Sequence, residues 1–228
     1  MPRQPSANAF TPLRVCIVAL PDAAISTLAG IYDVMNGIST MGIASPGAEH
    51  PFKVEIVGER SGPLRLASGV PIDVQRSIDD IAACDILVVP SVMLRPGGWQ
   101  SGRYPRLVAW IKRMHDGGAR LCSACSGVFL LAETGLFDGR DATVHFGYAN
   151  QFAVCYPNVP IHPERVLVIS GLREDLISSG ASNTWHDMVL YLIAHHVGAT
   201  VAQEVARMFA LQWHQDGLAP YMIFEGRN

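Results

Sequence analysis

The sequence predicts an α/β domain: one doubly wound, mostly parallel sheet with helices on both faces. Three observations carry this. Strand-like and helix-like stretches alternate along most of the chain, the pattern that builds parallel sheets with helical crossovers. Two apolar runs rich in β-branched residues, "LRVCIVAL" (13–20) and "CDILVVP" (84–90), show no polar alternation, as strands buried on both faces require. The segment "RYPRLVAWIKRMHDGG" places Leu107, Val108, Ile111 and Met114 on one stripe, the spacing of a helix packed on a core.

Taken in order, "MPRQPSANAFTP" (1–12) has one arginine, early prolines and no apolar run, so it reads as a disordered lead-in rather than a signal peptide. A single domain is expected from 13 to 228. After the first strand, Ile25, Leu28, Ile31, Val34 and Met35 share a helical face. "KVEIVGE" is a second strand. "LRLASGVPIDVQ" reads as a hairpin turning at Ser68-Gly69. The helix from Tyr104 is ended by Gly117-Gly118. "ARLCSA" is a short strand, and "SGVFLLAETG" a helix closed by Gly135. A helix-like stretch covers about 146–156, and two strands flank the turn at Gly171. "SNTWHDMVLYLIAHHVG" is a helix with Ser182, Asn183 or Thr184 as N-cap and Gly198 as C-cap. "ATVAQEVARMFALQWHQDG" is read as the last helix.

Hydrophobic residues make up 49% of the 228 and charged residues 16%, below the usual quarter. A well-buried core and an apolar self-association surface are expected, hence a homodimer. Net charge is −3 and no basic stripe appears, so this segment is not expected to grip nucleic acid by itself. No apolar run reaches the roughly eighteen residues that cross a membrane. Five cysteines without an export signal point to reduced thiols in the cytoplasm. No cofactor is expected.

The stretch "LCSACSG" holds the chemistry-bearing residues. One C-x-x-C without a second pair is a poor metal site; His195 and His196 are adjacent on a helix and diverge, and no metal is expected. A dithiol centre would open its helix at the first cysteine, whereas here the helix opens after Cys125 and Cys122 lies on the strand. A strand running directly into a helix, with Ala124, Ser126 and Gly127 all small, suits a nucleophile elbow that pushes Cys125 into a pocket. The helix N-terminus facing the thiol should lower its pKa and hold an anion. The same geometry also fits a pocket that performs no chemistry.

These residues carry a resemblance. "CSACSGVFLLAETGLFDGRDATVHF" resembles the ThiJ/PfpI superfamily, within the class I glutamine amidotransferase-like, flavodoxin-like fold, and is most similar to the N-terminal domain of GlxA-type regulators of the AraC family. It spans roughly 13–222, with "LISSGASNTWHDMVLYLI" similar in its flank. The resemblance maps the family's cysteine to Cys125 and its histidine to His145, twenty residues on, as the catalytic candidates. It implies a pocket lined by Ser26, Thr27, Ser91, Val92, Ser126, Gly127 and Trp185. It also implies a small-molecule metabolite as ligand.

The chain departs from that pattern twice. Ser26 or Thr27 stands where the family has a carboxylate, with Asp22 assigned to the preceding turn, so no group there takes a proton from the thiol. Pro90-Ser91-Val92 replaces Pro-Gly-Gly, and the bulk of Val92 should narrow the backbone approach. His186 and Asp187 read as a solvated residue and a helix-end acid. The expectation is therefore a sensing and dimerising domain of an AraC-family regulator, without efficient catalysis. DNA binding would lie in a C-terminal helix-turn-helix part that this chain does not contain; 212–224 resembles what precedes it. The alternative is a stand-alone cysteine-dependent enzyme, a hydrolase, a lyase or isonitrile hydratase-like. A redox sensor oxidised at Cys125 is a third reading.

Overall fold

The computed structural model describes residues 11–43 and 50–222. The lead-in expected over 1–12 lies outside them except for its last two residues, as do the last two residues of the 212–224 stretch.

Strand β1 (Leu13–Val18) runs into α1 (Ile25–Thr40), then β2 (Phe52–Gly58). The hairpin β3 (Gly62–Arg65) and β4 (Pro71–Val74) follows as a separate two-stranded ladder, turning at Ser68-Gly69 as expected. Gly69 has φ 87°, which a tight turn of this kind requires. Next come β5 (Arg76–Ser77), β6 (Ile86–Val89), α2 (Pro105–Asp116), β7 (Arg120–Ala124) and α3 (Val128–Ala132). The remainder is α4 (Ala149–Cys155), β8 (Leu167–Ser170), β9 (Leu176–Ser179), α5 (Trp185–His196), α6 (Ala199–Met208) and α7 (Ala219–Met222).

The main sheet has the order β5-β2-β1-β6-β7-β9-β8. All neighbours are parallel except β8 and β9. This is the doubly wound, mostly parallel sheet the alternation predicts. Helices α1, α5 and α6 pack on one another, and α2 packs on α3. The apolar runs behave as read: Val15 to Val18 and Ile86 to Val89 are fully buried. Strand order reverses between β1 and β6, which opens a crevice at their carboxyl ends.

Four details refine or depart from the expected elements. In α2 the buried stripe is Leu107, Trp110, Ile111 and Met114, with Val108 only half-buried. Helix α3 stops at Ala132 because the Thr134 hydroxyl donates to the Leu131 carbonyl (2.6 Å) and competes with the helix ladder. Thr184 is the N-cap of α5, yet its hydroxyl is spent on the Ala181 N–H and C=O rather than on the helix. The last long helix ends at Met208, not at 217. Ala210 takes φ 52° and the Leu211 N–H returns to the Ala206 carbonyl, a Schellman closure formed without glycine.

Candidate functional site

Strand β7 ends at Ala124 in extended conformation. Cys125 then takes φ 52° and opens a single 3-10 turn, Cys125–Gly127, that feeds α3. A non-glycine residue in this region is strained, and such strain concentrates at functional sites. Gly127 makes the turn possible. A Cβ there would lie 2.5 Å from the Pro90 carbonyl and 2.6 Å from that of Val89, so the elbow is pressed against the end of β6.

The elbow is locked to the 90–92 turn by one side chain. The Ser126 hydroxyl donates to the Val92 carbonyl (2.6 Å) and accepts the Val92 N–H (3.0 Å). Val92 was expected to narrow the turn by its bulk. Its buried N–H is instead already bonded to Ser126, so it is not free for an oxyanion.

Cys125 is 2% exposed. Its Sγ lies 3.7 Å from the Ser182 hydroxyl. Burial pushes the thiol pKa up, against hydrogen bonds from Ser182, Ser126 and Ser91 that favour the thiolate. This reverses the expected fall. The helix behind the elbow is only five residues long, and desolvation of the charged form outweighs what its terminus offers. Cys122 is wholly buried and burial pushes it up to about 12; it is not bonded to Cys125, since both thiols are free.

The other anticipated residues divide. Thr27 is buried and donates to the Ser91 hydroxyl (3.0 Å), which joins α1 to the elbow group. Ser26 is exposed on the first turn of α1. Half-buried His145 accepts the Gly147 N–H on Nδ1 (3.0 Å) and stacks on Phe146 at 4.3 Å between ring centres. With Phe146, Ser182, Asn183, His214 and Tyr221 it lines a cavity of about 260 Å³. Ser182 thus touches both this cavity and Cys125. Trp185 packs elsewhere: it covers Gly30 of α1, where a Cβ would fall 2.5 Å from the indole.

Sequence reasoning missed four residues here. Ser182 carried no motif beyond a capping signal. Asp187, read as a helix-end acid, is 3% exposed and holds His214, taking its N–H (2.9 Å) and facing its Nδ1 (2.7 Å). His186 is half-buried rather than solvated, and burial lowers its pKa. Asp22, assigned to a turn, is 1% exposed and accepts from Tyr104, Arg103 and Arg95.

A strained residue held over the carboxyl ends of parallel strands, on a doubly wound sheet, defines a class of elbow proteins. The chain belongs to the DJ-1/PfpI family, which matches residues 21–193. It is 28% identical over 191 residues to the HTH-type transcriptional regulator CdhR of Pseudomonas aeruginosa, covering 78% of this chain and 53% of the relative. It is 28% identical over 96 residues to the HTH-type transcriptional regulator GlxA of Rhizobium meliloti, covering 42% of this chain and 28% of that one. The chain therefore spans about half or less of these regulators. Among solved structures, it is similar to an AraC family transcriptional regulator from Pseudomonas putida, with TM-score 0.71 and 18% identity over 87% of this chain and all of the other. Drosophila melanogaster DJ-1beta gives 0.72 and 19% over 89% of this chain and all of that one. At such identities these two likenesses show the fold alone. Among the described residues no helix is long and apolar enough to cross a membrane.

Proposed function

We propose that this domain is the small-molecule-sensing and dimerising part of an AraC-type, GlxA-like transcriptional regulator, and that Cys125 contacts the ligand without turning it over. The relatives that are HTH-type regulators support the first half. One observation carries the second. Among the described residues, the groups that bond the buried thiol are the hydroxyls of Ser182, Ser126 and Ser91 and the Ser126 backbone, none of which is a base strong enough to take its proton at neutral pH. Thr27 steadies Ser91, and Ser182 with His145 forms the approach from the cavity. A small metabolite with a carbonyl or carboxylate suits this mixed lining. DNA contact would fall to a part of the regulator outside this chain.

The test is a thermal-shift screen of small carbonyl and carboxylate metabolites on wild type, Cys125→Ala and Ser182→Ala, with proton NMR following the fate of each hit. Hits that bind, weaken in both variants and remain unconsumed are expected. Consumption that disappears in Cys125→Ala would replace this reading with a cysteine-dependent hydrolase or lyase. The retained φ of 52° at Cys125 favours that second reading, since nucleophile elbows hold this strain.

A further inference from the structure

A larger cavity, about 390 Å³, opens where β1 and β2 end, beside the β3–β4 hairpin and the start of α2. It shares no lining residue with the cavity beside Cys125. Leu20, Leu64 and Leu107 give it an apolar wall, and Glu59, Arg60 and Arg103 supply charge.

The charges are arranged rather than scattered. Burying a carboxylate is costly unless it is paired and hydrogen-bonded. Asp22 meets that cost with the Tyr104 hydroxyl (2.7 Å), Arg103 and Arg95. Arg103 is thereby fixed at the rim of the cavity, and its guanidinium also lies 5.1 Å from the centre of the Tyr104 ring. Only its Nη1 is engaged by a hydrogen bond among the described residues, so further N–H groups of the fork remain for a ligand. The side chains of Arg60 and Glu59 have no ion pair or hydrogen bond among the described residues, although both residues line the cavity. Within the lining, Arg60 and Arg103 stand against Glu59, while Asp22 behind them is shared by Arg103 and Arg95, so a single positive charge is left in excess.

We infer that this cavity is a second binding site, for a small monocarboxylate with a short apolar body. The carboxylate lies between Arg60 and the fixed Arg103, and the body lies on Leu20, Leu64 and Leu107. The volume is near the low end of pockets that hold small organic ligands. A phosphate ester fits less well, because Glu59 repels a second negative charge. The inference does not depend on the reading of Cys125.

Isothermal titration of the whole chain with benzoate, butyrate and inorganic phosphate tests it. Arg103 is a poor first variant, because its loss strands the buried Asp22 and can unfold the chain. Arg60→Glu removes an exposed, unpaired side chain, and Lys112→Glu makes the same charge change on an exposed position outside the cavity lining. Benzoate or butyrate is expected to bind wild type, to weaken at least about tenfold in Arg60→Glu, as loss of a charged hydrogen bond predicts, and to change less than about twofold in Lys112→Glu. Three results overturn the proposal: no carboxylate binds wild type, Arg60→Glu binds as well as wild type, or phosphate binds as tightly as the carboxylates.

Discussion

Ser126 and Val92 hold each other twice: one hydroxyl both donates to the Val92 carbonyl and accepts the Val92 N–H. Two buried backbone groups depend on this one side chain. Ser126→Ala should therefore destabilise the fold by about 2 kcal/mol, the cost of leaving a buried donor and acceptor unmet. Urea unfolding measures it; a change within error would show that water or a neighbour replaces the hydroxyl.

Gly127→Ala should be more damaging. Its Cβ meets two backbone carbonyls at the end of β6 rather than a flexible side chain, and backbone cannot step aside cheaply. A loss of about 3 kcal/mol or more, in the upper range for overpacking, is expected in thermal unfolding. A melting temperature equal to wild type would mean that the elbow sits less tightly on Pro90 than the structure shows.

Cys125 should be a slow nucleophile. Burial holds its pKa above that of an ordinary cysteine, so the thiolate fraction at neutral pH is small. Alkylation by iodoacetamide, followed by mass spectrometry across pH, should rise at a higher pH for Cys125 than for free cysteine. Ser182→Ala should move that rise further up, since a bond favouring the thiolate is lost. An inflection below that of free cysteine would contradict both statements.

His196 supplies a pH dependence. Burial, then Arg120 and His195, lower its pKa from 6.5 to about 4. The unfolded chain therefore binds the proton more readily than the folded one, and stability falls with falling pH. That loss begins as pH drops below about 6.5 and continues to about 4. His196→Gln should flatten this part of a melting-temperature profile; an unchanged slope would assign it to other groups.

Asp187→Ala should release the 212–218 segment, because His214 loses both of its bonds to that carboxylate. Hydrogen exchange should rise there and around Leu218, with a global cost of about 2 kcal/mol for the loss of two hydrogen bonds to a buried side chain. Unaltered exchange at His214 would show that other contacts hold the segment.

What was legible in the sequence is what neighbouring residues decide. The run 13–20 has no polar alternation, so β1 and its parallel setting were readable. Ala124, Ser126 and Gly127 flank Cys125, so the elbow was readable too. Asp22 and Asp187 were not, because their partners Arg103, Tyr104 and His214 are distant in the chain and only the fold brings them together. The thiol pKa was read in the wrong direction for a related reason: the helix start is local, whereas desolvation comes from the whole surrounding core. The end of α6 was hidden because Ala210, not glycine, takes the left-handed turn.

The borders of the sheet carry a last consequence. One edge strand, β5, has two residues, and the other, β8, has four and runs antiparallel to its neighbour. Long flat edges recruit strands from other molecules and seed aggregation, whereas short ones offer few unpaired amides. The borders of the main sheet therefore offer a second copy of this chain little open strand to extend.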